Sequence, residues 1–214
     1  MNFACTTEKY DLLYARWLAD PGRLLDLADW QPGQRLLDLC GGTGAVTREA
    51  LQRGASPDSI TLLDLNPRLP DLSVRTVAGQ AERVGFLLDG EWTTYDVIVC
   101  RQAFSYLDLT GLSRINFPAS VAALLKPSGK FVFNTFVRPK WSAKRYTYDG
   151  QSYFEVSGYF GRTVWHLQAS PGLGWDVSRF HWFTEAEIRN LLARWFRVEV
   201  NKSDTSIRWV CTKR

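Results

Sequence analysis

Asp38 and Asp64 are the first residues in this chain from which chemistry can be read. Each ends an apolar run, Leu36-Leu37-Asp38 and Ile60-Thr61-Leu62-Leu63-Asp64, and after the first comes Leu39-Cys40-Gly41-Gly42-Thr43-Gly44, with three glycines in four positions. An apolar run, a glycine-rich turn and a segment with helical spacing describe a buried strand turning sharply into a helix. Glycines there let the backbone approach a ligand closely, and the helix from Ala45 offers unpaired N–H groups at its start. Asp64, one strand–helix–strand unit later, can accept both hydroxyls of a ribose. That pair suits a dinucleotide and an adenosyl ligand alike, and two details separate them. The dinucleotide fingerprint needs a third glycine where Gly42-Thr43-Gly44-Ala45-Val46-Thr47 ends in Thr47. The Asp38 carboxylate, facing into the turn, repels a pyrophosphate and attracts a ligand that carries ammonium and sulfonium groups.

Leu36 to Thr47 resembles the first motif of class I S-adenosylmethionine-dependent methyltransferases, with Cys40 where the family commonly has its first glycine and Gly41 added beside it. The resemblance runs in order over about residues 10–137. Tyr10-Asp11-Leu12-Leu13-Tyr14 is similar to the amino-terminal helix that lies across the cofactor mouth in small-molecule members. Val74–Ala78 with Gly79-Gln80-Ala81-Glu82 is similar to the third strand and its adenine-reading position, where Gln80 replaces the common aspartate. Its amide can accept from an amine and donate to a ring nitrogen. Tyr95–Tyr106 is similar to the fourth strand and its loop, and Val121–Asn134 to the helix, proline-glycine turn and fifth strand. The resemblance implies S-adenosyl-L-methionine as cofactor and S-adenosyl-L-homocysteine as product. It places cofactor contacts at Tyr14, Asp38, Leu39, Cys40, Gly41, Gly42, Gly44, Asp64, Leu65, Gln80, Ala81, Glu82, Cys100 and Arg101. No Asn/Asp-Pro-Pro-aromatic clamp follows the fourth strand, which takes weight from methylation of nucleic-acid bases. The implied fold is α/β and Rossmann-like, a seven-stranded, mostly parallel sheet closed by an antiparallel hairpin, Phe196–Val200 and Ile207–Thr212.

Methyl transfer from a sulfonium starts from an activated donor, so orientation and exclusion of water can carry much of it. A base is needed where the acceptor is a hydroxyl of high pKa. The chain has two histidines, His166 and His181, and these are the catalytic candidates, with Tyr106, Tyr146, Tyr153 and Glu155 behind them. Acceptor binding is expected from Tyr10, Tyr106, Arg138, Trp141 and Arg145. The cluster Arg138, Lys140, Lys144, Arg145 falls just past the carboxyl end of the fifth strand, where open α/β sheets place their ligands, and could clamp a carboxylate or phosphate. Cys5, Cys40, Cys100 and Cys211 are scattered without a C-x-x-C pair, so no zinc site or other metal is expected.

The elements that must position these residues read as a single methyltransferase domain over residues 1–214. Tyr10–Asp29 has helical spacings broken at Pro21-Gly22, one or two helices, and Ala45–Arg53 is a sheet-packing helix closed by Gly54. From Arg138 to Trp182 the strand–helix alternation stops. Ser152–Val156, Thr163–Gln168 and Val177–Phe183 read as an antiparallel meander, expected as a β cap at 138–182 over the active site. Thr184-Glu185-Ala186-Glu187 then reads as a capping box opening a helix to Trp195. Tryptophans concentrate after Lys140, where they could wall a pocket or form a homodimer interface through the cap. From Phe131 onward there are 13 Lys and Arg against 7 Asp and Glu, whereas the first 130 residues hold 13 against 15. That asymmetry fits an anionic acceptor or a solvated basic face. No apolar run is long enough for a bilayer and Met1–Lys9 lacks the layout of a signal peptide, so a cytoplasmic location without membrane contact is expected. The leading reading is methyl transfer to an O or N atom of a small molecule of secondary metabolism, with an anionic acceptor as one option. An RNA methyltransferase of the same fold, a non-catalytic adenosyl-binding partner subunit and, more distantly, an NAD-dependent oxidoreductase are the alternatives. The chain lacks an appended nucleic-acid module for the second.

Overall fold

The computed structural model describes residues 7–68, 72–88, 94–137, 140–203 and 206–214, without the side chains of residues 7, 8, 10, 17 and 18. Among them the chain opens with α1 (Thr7–Leu13), α2 (Ala15–Leu18) and α3 (Arg23–Leu27). Strands and helices then alternate: β1 (Leu36–Leu39), α4 (Ala45–Gln52), β2 (Ile60–Asp64), β3 (Arg75–Ala78), α5 (Val84–Leu87), β4 (Tyr95–Cys100), α6 (Ser113–Leu124) and β5 (Leu125–Phe136). Four strands follow in succession, β6 (Ser142–Tyr148), β7 (Gln151–Phe160), β8 (Thr163–Ser170) and β9 (Gly174–His181), before α7 (Glu185–Leu192), β10 (Phe196–Lys202) and β11 (Ser206–Lys213). No helix among the described residues is long and apolar enough to cross a membrane. The chain forms two compact units: Pro21–Thr135 with Phe183–Arg214, and the described part of Met1–Asp20 with Phe136–Trp182.

The larger unit is built on a seven-stranded sheet in the order β10-β11-β5-β4-β1-β2-β3. Parallel pairs join β1 to β2 and β4, β2 to β3, and β4 to β5, while β10 and β11 pair antiparallel. This is the mostly parallel sheet with a closing hairpin that the sequence implies. Its central strands are apolar on both faces, as strands covered on both sides must be. Leu37, Leu39, Ile98, Phe131 and Phe133 pack with Val84, Phe117, Val121 and Ile188 on one face; Leu36, Val97, Val99 and Val132 pack with Leu24, Leu25, Val46 and Ala50 on the other. The expected proline-glycine turn before the fifth strand is instead a bulge inside β5. Its register with β4 jumps from Tyr95↔Leu125 to Val97↔Lys130, and Ser128 takes φ 62°.

The smaller unit is the four-stranded antiparallel sheet β6-β7-β8-β9. Three strands are legible in the sequence here; the fourth, β6, is an edge of Ser, Ala, Lys and Arg followed by Tyr-Thr-Tyr, with no apolar alternation to announce it. Strand alternation gives the sheet two contrasting faces. Tyr153, Glu155, His166, Gln168, Ser170, Asp176 and Ser178 are buried on one, whereas Phe154, Trp165, Trp175 and Val177 are exposed on the other. Helices α1 and α2 separate at Tyr14, and three strands meet that break: Tyr153 Oη donates to Leu12 O (2.8 Å), Gln168 Nε2 to Leu13 O (2.8 Å), and Tyr14 Oη to Asp176 Oδ2 (2.6 Å). The carbonyls freed where α1 ends thus find donors within the unit.

Candidate functional site

In the larger unit the candidate site collects at the carboxyl ends of β1, β2 and β4. Asp38, 1% exposed, points one carboxylate oxygen back at the start of α4, where Oδ2 accepts from the Thr47 N–H (3.1 Å) and the Thr47 hydroxyl (2.8 Å). Burial pushes its carboxyl from 3.8 up to about 6; the Thr47 donors and the Arg101 charge pull it down, and Asp64 pushes it up. Thr47, to which the sequence reading gives no site role, is the residue that holds the Asp38 carboxylate. Its signal was a hydroxyl nine residues past the strand-end acid, in the first turn of the helix.

The loop between them is fixed by its backbone. Cys40 and Gly41 donate their N–H groups to Leu63 O at 2.6 and 3.2 Å. Asp64 accepts with both oxygens, from Gly42 N–H (2.9 Å) and from Asn66 N–H (2.8 Å). A Cβ at Gly41 would lie 2.5 Å from Leu62 Cδ1 and 2.9 Å from Asp38 Cγ, so the chain leaves no room for a side chain there. Gly42 and Gly44 have φ of 56° and 77°, and Cys40, at 60°, takes the left-handed conformation at a cost of about 1 kcal/mol. The Cys40 thiol hydrogen-bonds the Cys100 thiol, and that contact together with burial raises its pKa.

The remaining cofactor candidates border this loop in sequence and strand order. Leu65 is exposed beyond Asp64. Gln80 is exposed at the entrance of a 3-10 turn, Ala81 is buried in it, and Glu82 Oε1 accepts the Asp108 N–H at 2.6 Å. Cys100 is buried at the end of β4 and Arg101 follows it half-buried. Asn134, also passed over in the sequence, accepts the Gln102 N–H at 2.7 Å and holds the loop after β4. Tyr106 closes a 3-10 turn in that loop. Two carboxylates and a glycine turn, crowded at Gly41 and left-handed at Gly42 and Gly44, fit a positively charged adenosyl ligand.

In the smaller unit the polar face carries a hydrogen-bonded series. Ser157 Oγ lies 2.9 Å from His166 Nδ1, His166 Nε2 lies 3.2 Å from Gln168 Oε1, and Gln168 Nε2 donates to Tyr146 Oη at 2.7 Å. Burial raises the Tyr146 phenol's pKa, and Arg16 stands 4.8 Å over its ring. Lys144 pairs with Glu155 at 3.1 Å. His181, opposite Thr163 in the register, falls on the other face with Trp165 and Arg179, so the sheet separates the two histidines. Tyr14 is bound to Asp176 within this unit. Arg145 is exposed on the opposite side of β6 from Lys144, and Trp141 is exposed against Gly158, where a Cβ would meet its ring at 2.3 Å. The Tyr10 side chain and Arg138 lie outside the described residues.

Known proteins share this fold. A sugar N-methyltransferase from Streptoalloteichus sp ATCC 53650 superposes with a TM-score of 0.68 at 16% identity, covering 96% of this chain and 92% of that one. DesVI of Streptomyces venezuelae gives 0.67 at 22% identity, over 94% and 96%. An amino pentose methyltransferase of Micromonospora echinaspora, bound to S-adenosylmethionine, gives 0.66 at 18% identity, over 100% and 99%. These likenesses establish the fold. The ubiquinone/menaquinone biosynthesis C-methyltransferase of Shewanella piezotolerans is 28% identical over 152 residues, 65% of this chain, and the chain spans 57% of that relative's length. The profile of the methyltransferase domain family matches residues 10–195. With a glycine turn between two strand-end aspartates, a seven-stranded sheet in this order and that match over most of its length, the chain belongs to the class I S-adenosylmethionine-dependent methyltransferases.

Proposed function

We propose that the protein methylates an O or N atom of a small polar molecule of secondary metabolism, using S-adenosyl-L-methionine. The observation that carries this reading is the Asp38–Gly44 turn with Asp64 folded onto it. Asp38, the backbone from Leu39 to Gly44, Asp64, Leu65, Gln80, Ala81, Glu82, Cys100 and Arg101 are the residues that would hold the cofactor. The cofactor supplies a methyl carbon on a positively charged sulfur, and Asp38 in this protein supplies the opposing charge. Tyr14 belongs to the same proposal through the family resemblance.

The acceptor is assigned to the smaller unit, acting as the cap. On its polar face Glu155 is buried against Lys144 and Asp176 against the Tyr14 hydroxyl. Support for an anionic acceptor rests on Arg145 and Arg138, and Arg145 is on the other face. Fold neighbours described as sugar N- and amino pentose methyltransferases favour an amine. The curated relatives, described as C-methyltransferases, favour a second reading, a carbon acceptor. The exposed aromatic face of β7 to β9 is assigned to self-association, and the location to the cytoplasm.

Calorimetry with S-adenosylmethionine, S-adenosylhomocysteine and NAD tests the cofactor. Both adenosyl ligands should bind, and Asp64→Ala should weaken them about tenfold to hundredfold, the worth of charge-assisted hydrogen bonds. Heat from NAD alone would sink the proposal. Transfer of labelled methyl to D-glucosamine, glucosamine 6-phosphate, catechol or acetylacetone then distinguishes neutral-sugar amine, anionic, hydroxyl and carbon acceptors.

A further inference from the structure

Cys40 and Cys100 are nucleophilic side chains of the larger unit whose thiols the proposed reaction does not use. Strands β1 and β4 lie side by side and parallel, with Asp38 opposite Val99. Cys40, just past the end of β1, and Cys100, the last residue of β4, are thus one step of register apart. Their thiols hydrogen-bond, and Cys100 belongs to the core cluster against which Cys40 packs. Cys100 is completely buried and Cys40 half-buried, so solvent reaches the pair from the Cys40 side. Cys211 lies in β11, with β5 between it and β4. Two strand spacings, about 9–10 Å, exceed the span of a disulfide. The turn that starts at Cys40 has no slack. Cys40 stands at φ 60°, its N–H and that of Gly41 are tied to Leu63 O, and Gly42 N–H is tied to Asp64. Gly41 is crowded against Leu62 and Asp38, so a movement of Cys40 toward β4 is carried into the turn and to the Asp64 carboxylate.

We propose that Cys40 and Cys100 form an oxidative modification site, a dithiol that small-molecule disulfides convert to a bridge and that, once bridged, rejects the adenosyl ligand. The rejection rests on the reading that the turn from Asp38 to Gly44 holds the cofactor. Cys40, as thiolate, attacks one sulfur of the small disulfide. That sulfur–sulfur bond breaks, and its electron pair leaves on the other sulfur, which takes up a proton. Cys100 then gives up its own proton, attacks the Cys40 sulfur of the mixed disulfide and expels the second small thiol. The two protein thiols lose two electrons and two protons in all, and the small disulfide gains both. A covalent bond holds the sulfurs closer than a hydrogen bond does, so Cys40 shifts toward β4 and draws the turn with it. The exchange is slow near neutral pH. The hydrogen bond to Cys100, burial and the charges of Asp64 and Glu82 raise the Cys40 pKa and keep its thiol protonated. The rate should therefore rise about tenfold per unit from pH 7 to 9, as the thiolate fraction does. Linkage makes the effect mutual: the ligand resists bridging by the factor with which bridging weakens the ligand.

The test equilibrates the parent protein at pH 8 with mixtures of reduced and oxidised glutathione, then blocks free thiols and maps the peptides by mass spectrometry. A cross-linked pair of peptides containing Cys40 and Cys100 is expected. Calorimetry should find S-adenosylhomocysteine bound about tenfold or more weakly to the bridged form, with full affinity returning in dithiothreitol. Saturating S-adenosylhomocysteine should make the bridge easier to reduce by the same factor, about 30 mV for tenfold. Of the two other cysteines, Cys5 lies outside the described residues and Cys211 is out of reach, and Cys5→Ser with Cys211→Ala should reproduce all three results. Thiols of Cys40 and Cys100 that stay free across the whole glutathione series overturn the proposal. So does a bridge to Cys5 or Cys211 in place of this one, or a bridged protein that binds S-adenosylhomocysteine as tightly as the reduced one. In those cases the reduced protein still binds the ligand and the proposed function stands. A reduced parent that fails to bind S-adenosylhomocysteine defeats the proposed function, and the rejection of the ligand falls with it.

Discussion

Asp38 is the residue at which stability and ligand binding pull in opposite directions. Its folded carboxyl titrates at about 6 rather than 3.8 because burial disfavours the charge. Between those values the folded protein holds a proton that the unfolded chain has lost, so stability should fall as pH rises from about 4 to about 6, by up to about 3 kcal/mol. Urea denaturation of the ligand-free protein at pH 4.5, 5.5 and 6.5 should show that decline, and Asp38→Asn should flatten it. Affinity for S-adenosylmethionine should run the other way, weakening as pH drops below about 6 by as much as tenfold per unit. An affinity independent of pH between 5 and 7 would remove Asp38 from the ligand's contacts. Asp38 and Asp64 were readable because a charge at the end of an apolar run is conspicuous. Thr47 was not, since its task exists only once the helix folds back over the strand. Ser157 and Gln168 were equally silent, because polar residues alternating in a strand look the same whether that face meets water or a buried network.

Helix α7 shows how far an element can be read before folding. Thr184 accepts the Glu187 N–H at 3.2 Å and Glu187 Oε2 accepts the Thr184 N–H at 2.7 Å, the reciprocal pair that the sequence Thr-Glu-Ala-Glu announces. Thr184→Ala should cost about 1 kcal/mol, which for a chain of this size lowers Tm by about 2–4 °C; differential scanning calorimetry measures it. A shift under half a degree would mean that packing of Ile188 and Leu192 alone holds the helix. Elements with such local signals, α4 with its closing glycine and the apolar strands β1, β2 and β4, were legible. Strand β6 was not, because an edge strand is specified by its partner: Tyr146 opposite Tyr153 and Lys144 opposite Glu155 supply what its own sequence lacks. The bulge in β5 escaped notice because Pro127-Ser128-Gly129 reads equally as a turn, and only the pairing with Tyr95 on one side and Val97 on the other keeps it in the sheet.

At the scale of the whole molecule the mostly parallel sheet with its closing hairpin was legible through the family resemblance and the β cap through the break in strand–helix alternation, whereas the place of the first helices beside the cap strands was not. Nothing in Leu12-Leu13-Tyr14 indicates that these residues belong with strands far along the chain. The aromatics on the exposed face of the four-stranded sheet, Trp165 at 49% and Trp175 at 60% exposure, are large enough to drive association if they meet another copy. Light scattering at tens of micromolar should give about twice the chain mass of 24.4 kDa, and Trp165→Glu with Trp175→Glu should return the single-chain value. A parent that is monomeric throughout would strip this face of that role.

The contacts that tie the start of the chain to the cap sheet also set a schedule for its synthesis. Leu12 and Tyr153 are 141 residues apart, Leu13 and Gln168 are 155, and Tyr14 and Asp176 are 162. At about 5–20 residues per second on the ribosome, the first helix waits on the order of ten seconds for its partners while the strands of the larger sheet emerge and pair. Until then its end carbonyls are served by water alone. Leu12 to Tyr14 are thus made well before they can be fixed, and a ribosome stalled before Tyr153 would present them to chaperones and proteases as a segment without a home.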